Sequence, residues 1–522
     1  MYHSGMSVTK ISKIYSAQLS GLNVHIVTIE VDLSNGLHAF AIVGLGDKAV
    51  EEARDRVSAA IKNSGYTSPK QKNQKVVISL APADLRKEGP SFDLGMALGY
   101  LCASGDIFFD SEKKIFFGEL SLEGKLRKVS GILPLIRGAV EHGFTEAYVP
   151  KENALEAGLV EGIKIYGVET LDEIIGHLME RKDGLLTEQP STPIVYEEHS
   201  FDVDFSFIQG QETAKRGLEI AAAGGHNITM HGPPGTGKTM LAKAFRTILP
   251  SLSREEILEV TGIHSMARIL NKPFITHPPF RSPHHTSSYA SLVGGGSFPK
   301  PGEITLAHRG VLFLDEFPEF DKSVIDALRQ PLEDRVITIS RARGTLTFPA
   351  QCILIASMNP CPCGYGKEEN TEKKCVCTDR DIAWYRKKIS GPIMDRIDLW
   401  VSVSKVEYEK LSNNNSSTSN ENSKEIRKRV LSARKVQAKR FKDRKINGKS
   451  LNTEMNVSDI EKCISLSPEV KSLLTSSAEK LSLSGRAFHR IIKVARTIAD
   501  LEDKKEIGKL HVLEALQYRQ RF

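Results

Sequence analysis

Residues 232–239 read Gly232-Pro233-Pro234-Gly235-Thr236-Gly237-Lys238-Thr239, between a short apolar run, Ile228-Thr229-Met230, and an amphipathic run from Met240 to Leu249. Glycine and proline at this density break any regular element, so the chain must turn there from strand to helix. Glycines let main-chain N–H groups close on a polyphosphate, a lysine reaches its terminal phosphates, and a hydroxyl can hold Mg²⁺. The helix that follows turns its positive end to the anion. Gly232, Gly235, Gly237, Lys238 and Thr239 fill these places in order, and Pro233, Pro234 and Thr236 complete the loop. A phosphate-binding loop is predicted.

Binding a nucleotide is not hydrolysing it. Gly310-Val311-Leu312-Phe313-Leu314-Asp315-Glu316 reads as a buried parallel strand whose end delivers two carboxylates. Asp315 is placed for the Mg²⁺ shell and Glu316 for polarising the attacking water. A third apolar run, Cys352 to Met358, ends at Asn359. That side chain suits a group orienting water against the γ-phosphate, although Asn-Pro also starts ordinary turns.

A chain of 522 residues exceeds one hydrophobic core. Its ordinary apolar fraction predicts a globular protein, and no run of about 18 apolar residues predicts a membrane span. The first residues lack the charged-then-apolar order of a secretory signal, so a cytoplasmic location is expected, with no membrane partner. The net charge of +7 conceals residues 424–449, where twelve lysines and arginines face Glu425 and Asp443. Such a segment suits phosphate backbones or a solvated basic helix. Polar, proline-bearing residues 186–200 and the low-complexity stretch 409–423 suggest linkers. The expected units are 1–185, 201–408 and 424–522.

In the first unit, Val27, Ile29, Val31 and Leu33 alternate with polar residues before Ser34-Asn35-Gly36, which predicts a hairpin with Phe40–Val43 as the returning strand. Asp47 then caps a helix carrying Val50, Ala53, Val57, Ala60 and Ile61 on one face. The motifs Gly89-Pro90-Ser91-Phe92-Asp93-Leu94-Gly95, Gly118-Glu119-Leu120-Ser121-Leu122-Glu123-Gly124 and Val149-Pro150-Lys151-Glu152-Asn153 resemble the Lon-type peptidase domain, an α+β fold shared with a ribosomal-protein superfamily. Ser91 matches the family's nucleophile, but its lysine position falls on Leu133. A serine without an amine base is a poor nucleophile, so Ser91 is expected to be structural.

With Arg281-Ser282-Pro283-His284-His285-Thr286, Leu292-Val293-Gly294-Gly295-Gly296, Pro301-Gly302-Glu303-Ile304, Asn359-Pro360-Cys361-Pro362-Cys363-Gly364 and Ser390 to Asp398, nearly the whole chain resembles the magnesium-chelatase-like AAA+ ATPases of the YifB/ComM competence type. The resemblance implies an α/β multidomain protein: a Lon-protease-like α+β domain, an AAA+ P-loop NTPase αβα core and a C-terminal helical lid. It also implies a hexameric ring that hydrolyses ATP with Mg²⁺ and drives DNA branch migration in natural transformation. Arg396 takes the position presented to a neighbour's γ-phosphate, with an internal ion pair to Asp395 or Asp398 as the alternative. Arg486 resembles the second sensor arginine of the lid.

Val336–Ile339 and Thr345–Phe348 alternate like the strands of a hairpin whose tip carries Arg341 and Arg343. These are candidate readers of a DNA backbone, or else a solvated turn. His284 and His285, adjacent in sequence, point apart and suit loop packing better than a metal. Cys361, Cys363, Cys375 and Cys377 form two Cys-x-Cys pairs whose thiolates suit tetrahedral Zn²⁺, although the spacing departs from Cys-x-x-Cys and reduced cysteines without metal are the alternative. Cys102, Cys352 and Cys463 are expected in the core. Two functional classes satisfy these features: a DNA motor, and a chelatase-like or protein-remodelling ATPase that drives a protein partner.

Overall fold

The structure, a computed structural model, describes residues 11–181, 184–196, 202–296, 300–341, 344–366, 374–404, 421–481 and 483–519, with backbone alone at Arg341 and Gly344. It divides into two compact units, Met1–Val195 with Arg254–Ile275, and Tyr196–Ser253 with Thr276–Phe522. The helix Arg254–Met266 thus clusters with the first unit, although its sequence lies inside the stretch expected to form the ATPase core.

In the first unit, Ile11–Ser20 and Asn23–Asn35 pair antiparallel across a two-residue turn in which Gly21 has φ 62°. Val27, Ile29, Val31 and Leu33 are buried, as their alternation requires. The expected return strand corrects the sequence reading. Ala39–Val43 does not pair with Asn23–Asn35; it runs parallel to Gln74–Ala81, and the order is Ile11–Ser20, Asn23–Asn35, Gln74–Ala81, Ala39–Val43. Both edges of Asn23–Asn35 are already occupied, so the chain crosses over through the helix Lys48–Asn63, whose Val50 N–H is capped by Asp47 at 2.9 Å.

A second sheet orders Glu188–Gln189, Lys164–Val168, Glu146–Pro150 and Lys114–Phe116. Glu188–Gln189, inside the stretch read as a linker, is therefore an edge strand. Leu133 is wholly buried on the helix Ile132–Glu141. Among the described residues no lysine amine bonds the Ser91 hydroxyl, and the buried Lys87 donates to the Pro82 carbonyl instead.

The second unit is built on a five-stranded parallel sheet ordered Phe280–Arg281, Val311–Leu314, Ile353–Met358, Ile228–His231 and Leu399–Ser402. Every residue of Val311–Leu314 and Ile353–Met358 is buried, which explains why, Ser357 apart, their sequence is apolar throughout: helices cover both faces. The helices Glu212–Gly224, Lys238–Ile248, Ser423–Asp443 and Gly485–Leu501 share one core with the strands through Leu218, Phe245, Val430 and Ile491 against Ile228, Val311 and Ile355. Among the described residues no helix is long and apolar enough to cross a membrane.

Candidate nucleotide site

Ile228–His231 ends at the glycine-rich loop, and the helix Lys238–Ile248 begins at Gly237. Gly232 donates to the Met358 carbonyl at 3.2 Å. A Cβ there would lie 2.0 Å from the Val403 carbonyl oxygen, so no larger residue fits between the adjoining strand ends. Gly235 and Gly237 have φ of 77° and 88° and open space where a Cβ would stand. Their left-handed turns leave a concave run of backbone at the helix N-terminus, which is what a polyphosphate needs. Thr236 braces the loop by donating to Pro233 at 2.9 Å.

The Lys238 amine is buried and donates to the carbonyls of Gly232 and Pro233 at 2.6 and 2.8 Å and to Asn359 Oδ1 at 3.3 Å. Burial lowers its pKa, opposed by the negative charges of Asp315 and Glu316. Thr239 Oγ1 donates to Asp315 Oδ2 at 2.9 Å, while Asp315 Oδ1 accepts from Ser357 Oγ and from the Glu316 N–H at 3.1 Å. Hydroxyl and carboxylate thus stand side by side, an oxygen pair that fits Mg²⁺. Glu316 has left-handed backbone, φ 52°, and its carboxylate lies 3.3 Å from His285 Nδ1. Lys238, Thr239, Asp315, Glu316 and Asn359 therefore converge at the carboxyl ends of three adjacent strands, the usual ligand crevice of an open parallel sheet.

The four cysteines also come together. Cys361 Sγ lies 3.2 Å from Cys363 Sγ and 3.7 Å from Cys375 Sγ, Cys363 and Cys375 are 3.6 Å apart, and all four sulfurs lie within 4.8 Å of one another. Tetrahedral Zn–S bonds of about 2.3 Å require sulfurs about 3.8 Å apart, so the donor set fits that ion. The Tyr365 N–H draws the Cys363 thiol down, while the sulfurs crowded around Cys375 and Cys377 raise theirs. His284 and His285 are not in this cluster; contrary to the expectation that they point apart, their ring centroids lie 4.2 Å from each other, and His284 bonds Thr286 Oγ1 at 2.8 Å. Cys102 and Cys463 pack half-buried against the two cores.

The family described as magnesium chelatase, subunit ChlI, matches residues 204–411, its C-terminal counterpart matches 420–519, and a further ChlI family matches 29–153. The competence protein ComM of Haemophilus influenzae is 42% identical over 511 residues, 97% of each chain. The chain belongs to the YifB/ComM-type magnesium-chelatase-like family. The uncharacterized protein YifB of Escherichia coli K12 is 40% identical over 98% of this chain and 97% of its own. A Lon protease of Solibacter usitatus is 24% identical over 166 residues, 30% of this chain and 20% of that protein.

In this YifB/ComM-type chain the two arginines singled out from sequence meet each other and not the phosphate loop. Arg396 pairs with Glu333, and Arg486 reaches the same carboxylate at 3.1 Å. Arg396 also donates to the Pro392 carbonyl at 2.7 Å, and its Nε–H is buried without a partner. Asp398, the partner weighed from sequence, is taken by Arg490, the Asn227 N–H and His226. Burial and the guanidinium groups of Arg486, Arg490 and Arg329 lower the pKa of Arg396.

On the helix Ser423–Asp443 the basic segment divides by residue type. Arg427 bonds Ser251 at 2.9 Å, Arg429 pairs with Glu219 and Glu421, Arg434 donates to the Ala222 carbonyl, and Arg440 pairs with Asp500. Lys424, Lys428, Lys435, Lys439, Lys442 and Lys445 are exposed. The planar, forked guanidinium suits fixed partners, so these four arginines dock the helix while the lysines on it supply its surface charge; beyond the helix Arg444 is exposed and Lys449 pairs with Asp459. Val336–Arg341 and Gly344–Pro349 form the expected hairpin, with Arg341 opposite Gly344; Arg343 lies outside the described residues.

Sequence reasoning missed Ser357 and His285 as neighbours of the site and Glu333 as the carboxylate shared by Arg396 and Arg486. Ser357 could have been read from its place two residues before Asn359, on the same strand. Glu333 carries no local signal, since its arginine partners stand 63 and more residues away.

Proposed function

We propose that this chain is an ATP-hydrolysing AAA+ ring motor, a hexamer, that acts on branched or single-stranded DNA and drives branch migration during integration of DNA in natural transformation. The convergence of Lys238, Thr239, Asp315, Glu316 and Asn359 at three strand ends carries the hydrolytic part of this reading. Gly232–Thr239 cradle the phosphates, Thr239 and Asp315 hold Mg²⁺, Glu316 polarises water, and Asn359 orients it. Arg396 serves the neighbouring subunit's nucleotide and Arg486 its own, once Glu333 releases them. The helices after residue 423 act as the lid. A zinc ion held by Cys361, Cys363, Cys375 and Cys377 fixes the two loops that carry them.

The DNA part is supported by the likeness to a relative named for competence and by the hairpin bearing Arg341 and Arg343. Work on chromosomal DNA implies a cytoplasmic protein. The second reading, a chelatase-like remodeller of a protein partner, draws on the chelatase-subunit families that match most of the chain. ATP turnover with and without four-way junction DNA separates the two. A motor is stimulated by the junction, binds it less tightly as salt rises, and loses junction migration but not basal turnover on Arg341→Ala with Arg343→Ala. No DNA binding at low salt with ATP present would transfer the assignment to the remodeller.

A further inference from the structure

A concave surface of about 720 Å³ lies beside the cysteine cluster, lined among others by Pro362, Val376, Cys377, Arg380, Trp384 and Lys387. Its volume suits a nucleotide-sized ligand. The helix Asp379–Lys387 places Arg380, Trp384 and Lys387 at positions i, i+4 and i+7, hence on one face. Tyr385 is buried and anchors the helix, whereas Trp384 is 64% and Val376 84% exposed. An indole so open to water is unusual for a residue of this size, and large aromatic rings on a surface mark sites of contact.

The charges around the ring select the kind of contact. Arg380 and Lys387 are exposed and have no ion-pair partner among the described residues. Asp381, the carboxylate of the groove, is engaged as the helix cap, accepting from the Thr378 N–H at 2.9 Å and Thr378 Oγ1 at 2.7 Å. Lys388 Nζ stands 5.2 Å from the Trp384 ring centroid and pairs with Glu319 at 2.9 Å, so the indole lies against a fixed cation. An open aromatic plane flanked by two uncommitted cations complements a flat base between two phosphates.

We propose that this groove is a single-strand subsite in which an unpaired nucleobase stacks on Trp384 while Arg380 and Lys387 meet the flanking phosphates. The proposal rests on the reading of the chain as a DNA motor and gives it a place to hold the strand displaced at a junction. Stacking tolerates any base, so the subsite reads single-strandedness and not sequence. Pro362, Cys363, Val376 and Cys377 complete the lining of the groove.

Fluorescence anisotropy of the full chain with a fluorescein-labelled 20-nucleotide oligo-dT, and with a 20-base-pair duplex, tests this. Trp384→Ala should weaken oligo-dT binding about tenfold, in line with the loss of one stacked base, and leave duplex binding unchanged. Trp384→Phe should stay within about threefold of the parent and, by keeping an aromatic ring, guards against a folding defect. Arg380→Ala with Lys387→Ala should flatten the salt dependence of oligo-dT binding by about 1.4 in the log–log slope, about 0.7 for each lost phosphate contact. Unchanged oligo-dT affinity in Trp384→Ala overturns the subsite and leaves the indole to a protein partner; so does an equal loss for oligo-dT and duplex. A parent chain that binds neither DNA removes the DNA reading itself and the subsite with it.

Discussion

Glu316 offers the sharpest test of the site because its geometry sets two effects of opposite sign. It stands at φ 52° and ψ 43°, a left-handed conformation that costs a residue with a Cβ about 1–2 kcal/mol. Strain at such a position persists where the surroundings enforce it, here the bond from its N–H to Asp315 at 3.1 Å. Glu316→Gln keeps the shape and the strain and removes only the charge that polarises water. Turnover should fall ~10²–10⁴-fold, the usual worth of a positioned base, or roughly 3–5 kcal/mol of barrier at 1.36 kcal/mol per decade. Affinity for ATP should persist, since the loop, Lys238 and Asp315 are untouched. Glu316→Gly should also lose turnover, yet relief of the left-handed strain, less the roughly 0.5–1 kcal/mol entropy cost of glycine, should raise stability by about 0.5 kcal/mol. Phosphate release under saturating ATP, a fluorescent-nucleotide titration and thermal melting read the three quantities. Turnover of Glu316→Gln within threefold of the parent would refute the assignment; a glycine variant that melts lower would refute the strain argument.

Mixing Arg396→Ala subunits into parent protein should depress ATP turnover more than in proportion to their fraction if the arginine serves a neighbour; a strictly linear loss would show that it acts in its own subunit. Purified protein should carry about one zinc per chain, and Cys375→Ser with Cys377→Ser should release it; elemental analysis finding no zinc in reduced protein prepared without chelator would reject the site. Asp93 is fully buried, and burial raises its carboxyl to about 6 against the pull of Arg56. The folded chain then keeps a proton that the unfolded chain loses near its ordinary value of about 4, so this group lowers stability as pH rises from about 4 to 6, by up to about 1.4 kcal/mol per pH unit. Urea titrations across that window should show the slope for the parent and a flatter one for Asp93→Asn; equal slopes would refute it.

What the sequence alone determined was local in the chain. The octet 232–239 specifies its turn through glycine and proline dihedrals, Asp47 caps the helix that begins one residue later, and the apolar runs before Asp315 and Asn359 announce strands buried on both faces. Each follows from neighbours a few residues apart, where backbone sterics and periodicity suffice. Tertiary structure decided the partners of groups that any local pattern leaves free. Alternation from Val27 to Leu33 and the turn after it marked two strands, the second at Phe40–Val43, but not which edge each would take, because pairing depends on what already occupies the neighbouring edge. A run of twelve cations looked like one surface, and packing divided those on its helix into Arg427, Arg429, Arg434 and Arg440, which dock it, and lysines that face water, while beyond the helix Arg444 is exposed and Lys449 pairs with Asp459. Arg396 and Arg486 were legible as special, yet their shared carboxylate, Glu333, emerges only when segments distant in sequence are folded together, since the buried Arg396 and the exposed Arg486 each take an acceptor that packing brings within reach.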